Sequence, residues 1–129
     1  MKILVAYDDD RLSSKVIDHA LQRAKDSAGS VFLVHSFGTK TKEETFVAWE
    51  KQLNQIQKEV FERNGIPCES HILVRGLSPG EDIVNYALQK KIDEIIIGIE
   101  KRSKVGKMVF GSTARHIILE SHCPVLTIK

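Results

Sequence analysis

Five short apolar runs, separated by segments of helical period, constrain this chain more than any other feature. The runs are Ile3-Leu4-Val5-Ala6, Val31-Phe32-Leu33-Val34, His71-Ile72-Leu73-Val74, Glu94-Ile95-Ile96-Ile97 and Val125-Leu126-Thr127-Ile128. A strand with one face in water alternates apolar and polar side chains, whereas a continuous run is covered on both faces. Between the runs, apolar residues recur every three or four positions. They are Val16, Ile17, Ala20, Leu21 and Ala24 in one segment, and Phe46, Trp49, Leu53, Ile56 and Val60 in the next. Ile83, Val84, Ala87 and Leu88 follow in a third, and GSTARHIILESH, 111–122, forms a fourth. Strands alternating with helices in this way predict an α/β fold: a doubly wound five-stranded sheet, mainly parallel, with helices on both faces.

Local signals set the boundaries. Ser13 or Ser14 is expected to cap the first helix and Gly29 to end it. Asn64-Gly65 stops the second helix and Pro67 prevents its return. Ser78, Pro79 and Glu81 read as cap, first helical residue and capping-box partner of the third. A polar linker, 36–44, precedes the second helix. No internal repeat or low-complexity stretch divides the 129 residues, which suit a single domain, 1–129.

Charge and composition exclude several classes. A net charge of +2, with Lys and Arg spread along the chain, gives no case for nucleic acid or an anionic membrane as partner. No apolar stretch approaches the roughly 18 residues of a membrane span. The N-terminus runs straight into a strand pattern, so no signal peptide is expected and the expected location is the cytoplasm. Cys68 and Cys123, far apart and without a CxxC, read as two free thiols of a reducing compartment.

In doubly wound sheets, ligands bind beyond the carboxyl ends of the strands, where the strand order reverses. Two strand ends are chemically unusual. The first strand runs into Tyr7-Asp8-Asp9-Asp10. The fourth is followed by Gly98, a loop bearing Lys101, Arg102, Lys104 and Lys107, and Gly111-Ser112-Thr113 at the start of the last helix. Glycine admits close backbone approach, and a helix N-terminus offers unpaired N–H groups to a phosphate. The fourth strand end therefore reads as a phosphate cradle, with a carboxylate of the first strand end free to accept hydrogen bonds from a base or ribose. The spacing is neither a Walker loop nor GxGxxG. A phosphorylation receiver would need an aspartate at the end of the third strand, but there the chain reads Val74-Arg75-Gly76. His19, His35, His71, His116 and His122 show no metal-ligand spacing, and no metal held by the protein alone is expected. No nucleophile–base pair stands out, so no enzyme is expected.

These residues together resemble a known family. Gly98, Ile99-Glu100, Lys101, Arg102 through Phe110 and Gly111-Ser112, leading into His122-Cys123-Pro124-Val125, follow the signature of single-domain universal stress proteins. The likeness extends to MKILVAYDDD and to VRGLSPGEDIVNYALQKKIDEIIIG. It implies an adenine-nucleotide site. Asp8 would lie on the adenine side, flanked by Ala6 and Tyr7, with the backbone of Val34 also meeting the base. Gly98, between Ile97 and Glu100, would meet the ribose, and Gly111, Ser112 and Thr113 the phosphates. Lys101 stands where the family carries a second glycine, and Asp9-Asp10 where it carries Gly-Ser; the two aspartates are expected to face solvent. The resemblance further implies a homodimer paired through Val125–Ile128, with ATP or another adenine nucleotide as ligand, together with Mg²⁺. Two functions follow. One is a nucleotide-binding stress sensor or regulator. The other is a nucleotide-free member that acts through protein–protein contacts.

Overall fold

The computed structural model describes residues 1–37, 42–100 and 111–129 in full, and the backbone of 102–104 and 107–109. Lys101 lies outside the described residues, as do the side chains of Arg102, Lys104 and Lys107. In chain order the elements are β1 (Lys2–Ala6), α1 (Ser13–Ser27), β2 (Ser30–Ser36), α2 (Glu43–Ile56), β3 (Cys68–Leu73), α3 (Pro79–Gln89) and β4 (Glu94–Gly98). A short antiparallel hairpin, β5 (Arg102–Lys104) and β6 (Lys107–Val109), comes next, followed by α4 (Ser112–Glu120) and β7 (Val125–Ile128).

The main sheet has the order β3-β2-β1-β4-β7, and every pairing in it is parallel. The expected doubly wound fold is present. The chain steps outward from β1 to β3, then crosses back to β4, so the order reverses between β1 and β4. Helices α1 and α2 cover one face, burying Ile3, Val5, Leu33, Leu53 and Ile96. On the other, α3 and α4 bury Leu4, Phe32, Val34, Ile95 and Ile97. The two edges differ in chemistry. β3 presents the exposed Glu69 and His71, whereas β7 presents the half-buried Val125, Leu126 and Thr127.

Several local expectations change. Neither Ser13 nor Ser14 caps α1. Asp10 accepts the Leu12 N–H at 2.8 Å through its side chain, and the Ser13 hydroxyl donates to the Asp10 carbonyl at 2.9 Å. At the other end of α1, Ala28 takes the left-handed conformation, at φ 51°. Gly29 serves instead for close packing, since a β-carbon there would lie 2.7 Å from the Met1 carbonyl oxygen. Ser78 makes no side-chain cap; Pro79 and the Ser78 carbonyl, which accepts the Asp82 N–H at 2.9 Å, start α3. The α2 rod continues as a π-helical turn, Gln57–Phe61, and a 3₁₀ turn, Glu62–Asn64, before Gly65 at φ +74°. The wider turn shifts the helical phase, so Phe61 is fully buried and Val60 only partly. On α3 the buried large apolar positions are Ile83, Tyr86 and Ala87, beside the buried Gly80 and Asp82, while Leu88 is exposed. Cys68 and Cys123 are free thiols that pack on opposite faces of the sheet.

Candidate functional site

A cleft of about 520 Å³ opens at the carboxyl ends of β1 and β4, where the strand order reverses. That volume falls within the roughly 300–1,000 Å³ of small-molecule sites. Four segments line it: the β1 end with Ala6, Tyr7, Asp8 and Asp10; the β2 end with His35 and Ser36; the β4 end from Ile97 to Glu100; and the first turn of α4 from Gly111 to Ala114. Pro79 and Ile83 of α3, together with Ser13 and Val16 of α1, complete the wall.

The structure brings together nine of the residues singled out from sequence: Ala6, Tyr7, Asp8, Ile97, Gly98, Glu100, Gly111, Ser112 and Thr113. Val34 is not among them. It is fully buried, and its carbonyl accepts the Tyr7 N–H at 2.9 Å, so the sheet uses its backbone. The β2 residues at the cleft are the next two, His35 and Ser36. Asp9 and Asp10 are both exposed, as expected, and Asp10 also borders the cleft. Gly98 is at the cleft, but its missing side chain faces α1: a β-carbon there would lie 3.1 Å from Val16 Cγ2 and 3.4 Å from Leu12 Cβ.

The two ends of the cleft differ. At the α4 end, Gly111 takes φ −61°, ψ 152°, and a β-carbon there would meet nothing within 4 Å. Among the described residues no side chain caps the helix, and no acidic residue stands in its first turn. The N–H groups of that turn are therefore available to an anion. By contrast, the first turn of α3 carries Glu81 and Asp82. At the β1–β2 end the walls are aromatic and acidic. His35 stacks on Trp49, with ring centroids 3.8 Å apart and planes 5° from parallel, and its Nδ1 lies 2.9 Å from the Tyr7 carbonyl oxygen. Trp49 packs edge-on to Tyr7 at 6.0 Å, and Gln52 donates to the Tyr7 hydroxyl at 3.0 Å. Burial raises the Tyr7 pKa above its ordinary value. Among the described residues, the charged lining side chains are Asp8, Asp10 and Glu100. Asp8 accepts the Asp9 N–H at 2.9 Å, and Glu100 pairs with Arg11 at 3.3 Å. Among the described residues no three His, Cys, Asp or Glu side chains gather as metal ligands. Among the described residues no helix is long and apolar enough to cross a membrane.

The universal stress protein family profile matches residues 1–129. The chain belongs to the universal stress protein family. A universal stress protein of Archaeoglobus fulgidus is similar in structure, with a TM-score of 0.88 and 36% identity, covering 100% of this chain and 98% of that one. A universal stress protein from Archaeoglobus fulgidus solved in complex with dAMP is 32% identical, with a TM-score of 0.83 over 100% of this chain and 98% of that one. A universal stress protein of Thermus aquaticus is 26% identical over 98% of this chain and 97% of its own length.

The residues missed by sequence reasoning had weak local signals. His35 and Ser36 sit at the junction of an apolar run and a polar linker. Pro79 and Ile83 read as ordinary helix-start and core positions, and only the sheet topology carries them to the cleft.

Proposed function

We propose that this universal stress protein binds an adenine nucleotide in the cleft between β1 and α4 and acts as a stress-linked sensor or regulator. The observation that carries the reading is the pairing of an uncapped α4 N-terminus, Gly111-Ser112-Thr113, with the Asp8 carboxylate across one cleft. The helix turn suits phosphate. Asp8 accepts hydrogen bonds from ribose hydroxyls or a base amine. The dAMP complex of the Archaeoglobus fulgidus relative supports a nucleotide of this class. The acidic lining favours a monophosphate, or a triphosphate that brings Mg²⁺ to neutralise it. We assign no catalytic role. The half-buried edge strand β7 supports a homodimer paired through Val125–Ile128, and the two half-buried free cysteines support a cytoplasmic location.

One observation favours a nucleotide-free protein that works through a protein partner: among the described residues, the charged side chains lining the cleft, Asp8, Asp10 and Glu100, are all acidic. Calorimetric titration with AMP and with Mg·ATP separates the two readings. Micromolar binding, weakened about tenfold or more in both Asp8→Ala and Ser112→Ala, supports the nucleotide site. No binding up to millimolar supports the partner reading.

A further inference from the structure

We propose that Ser36 makes the cleft selective for a 6-amino purine over a 6-oxo purine, and that Asp82 and Arg75 set this selectivity from behind the wall. The proposal rests on the nucleotide reading above. Ser36 is the last residue of β2 and lines the base end of the cleft, with 7% of its surface exposed. Its hydroxyl donates to Asp82 Oδ2 at 3.2 Å. Asp82 has no exposed surface, and its other carboxylate oxygen accepts Arg75 Nε at 2.6 Å. Arg75 is itself held in place. Its Nη2 donates to the Asp82 carbonyl at 3.1 Å, its Nη1 to Gln89 Oε1 at 2.9 Å, and its guanidinium lies 5.8 Å from the centre of the Tyr86 ring.

Donor and acceptor counting then fixes what Ser36 can offer. A serine hydroxyl has one proton and two lone pairs. A carboxylate paired with arginine only accepts, so Asp82 takes the serine proton. What remains for a ligand is an acceptor. A 6-amino group satisfies it. A 6-oxo group sets oxygen against oxygen and leaves both buried acceptors without a donor, which is costly in a dry site. Neither Arg75 nor Asp82 is among the residues lining the cleft. Both are therefore positioning residues, and Ser36 is the one that reads the base.

The test compares AMP with IMP by calorimetry on the full chain, with a thermal melt of each variant as the folding control. Wild type is expected to bind IMP at least about tenfold more weakly than AMP. Ser36→Ala is expected to lose about tenfold in AMP affinity while IMP stays within about twofold, so the ratio collapses. Asp82→Asn keeps an oxygen for Arg75 and turns an amide N–H₂ toward Ser36. The serine proton is then free, and the preference is expected to move toward IMP. A Ser36→Ala protein that binds AMP with the wild-type AMP/IMP ratio overturns this assignment and leaves the nucleotide site standing. A folded wild type that binds neither nucleotide overturns both.

Discussion

Gly80 of α3 lies so close to His116 of α4 that a β-carbon on the glycine would come within 2.8 Å of the histidine's own. This contact joins the first turn of α3 to the second turn of α4, the two helices that wall the cleft opposite α1. The histidine β-carbon is fixed to its helix backbone and has no rotamer by which to move away. Gly80→Ala therefore forces α3 and α4 apart. We expect a loss of about 1–3 kcal/mol in denaturant unfolding, together with weaker AMP binding as Pro79 and Ile83 shift relative to Gly111–Ala114. A wild-type midpoint in Gly80→Ala would show that the helices separate without cost.

Arg23 and Glu94 form an ion pair across α1 and the start of β4, with Nη2 to Oε2 at 2.6 Å. The carboxylate side chain is 10% exposed, while the arginine is 42% exposed. Removing the arginine strands a nearly buried charge, but water still reaches the vacated side. Arg23→Ala is therefore expected to cost about 2 kcal/mol, below the roughly 3–5 kcal/mol of a fully buried pair. Replacing both residues, Arg23→Met with Glu94→Gln, is expected to recover most of that loss. Urea unfolding of the two variants measures the difference.

Alkaline pH is expected to weaken the fold. Burial pushes the Cys68 thiol from 9.0 up to about 12 and the Tyr86 hydroxyl from 10.0 up to about 12. Burial also raises Tyr7 and Cys123. Below pH 9 these groups are protonated in both the folded and the unfolded chain, so their contribution is fully present. Between about pH 9 and 12 the unfolded chain releases protons that the folded chain keeps, and stability falls. Thermal melts should decline steadily over that window. The same shift predicts that Cys68 resists alkylation at neutral pH in the folded protein and reacts once it is unfolded.

Trp49 is the chain's single tryptophan, and it stacks on His35, a residue of the cleft wall. A base entering the β1–β2 end disturbs that ring. Tryptophan emission is expected to change in step with AMP binding measured by calorimetry, and the change to shrink by half or more in His35→Ala. Flat emission alongside calorimetric binding would place the base at another part of the cleft.

The fold was legible because the central strands β1, β2 and β4 are continuous apolar runs and Gly65 and Pro67 break the second helix; β3, expected as the run His71–Val74, is instead an edge strand, Cys68–Leu73, whose exposed positions alternate, and Val74 lies exposed beyond it. The cleft was legible in outline, since Asp8 and Gly111-Ser112 stand at strand and helix ends that topology must bring together. Three things were not readable locally. Val34 looked suitable, but a parallel ladder engages its backbone, and the β2 residues at the cleft are His35 and Ser36. Gly98 was read as making room for a ligand, whereas its open side accommodates Val16 and Leu12 of α1. Asp82, in the first turn of α3, carries no local signal of its burial. Its burial depends on Arg75 and on Ser36, a residue 46 positions away in sequence. Pattern reading follows neighbours along the chain, and these three cases turn on neighbours across it.

The unequal edges of the sheet limit how the protein can grow. The β3 edge carries Glu69 and His71 in water, and Ser70 bonds to Asn54 at 2.8 Å and Gln57 at 2.6 Å on the helical rod beside it. A strand docking there would bury charge and compete with those bonds. Among the described residues the β7 edge has neither safeguard. A sheet with one adhesive end and one blunt end can be joined once and then has nothing left to offer. In the homodimer proposed above, joining two β7 edges would leave the polar β3 edge at both ends of the shared sheet.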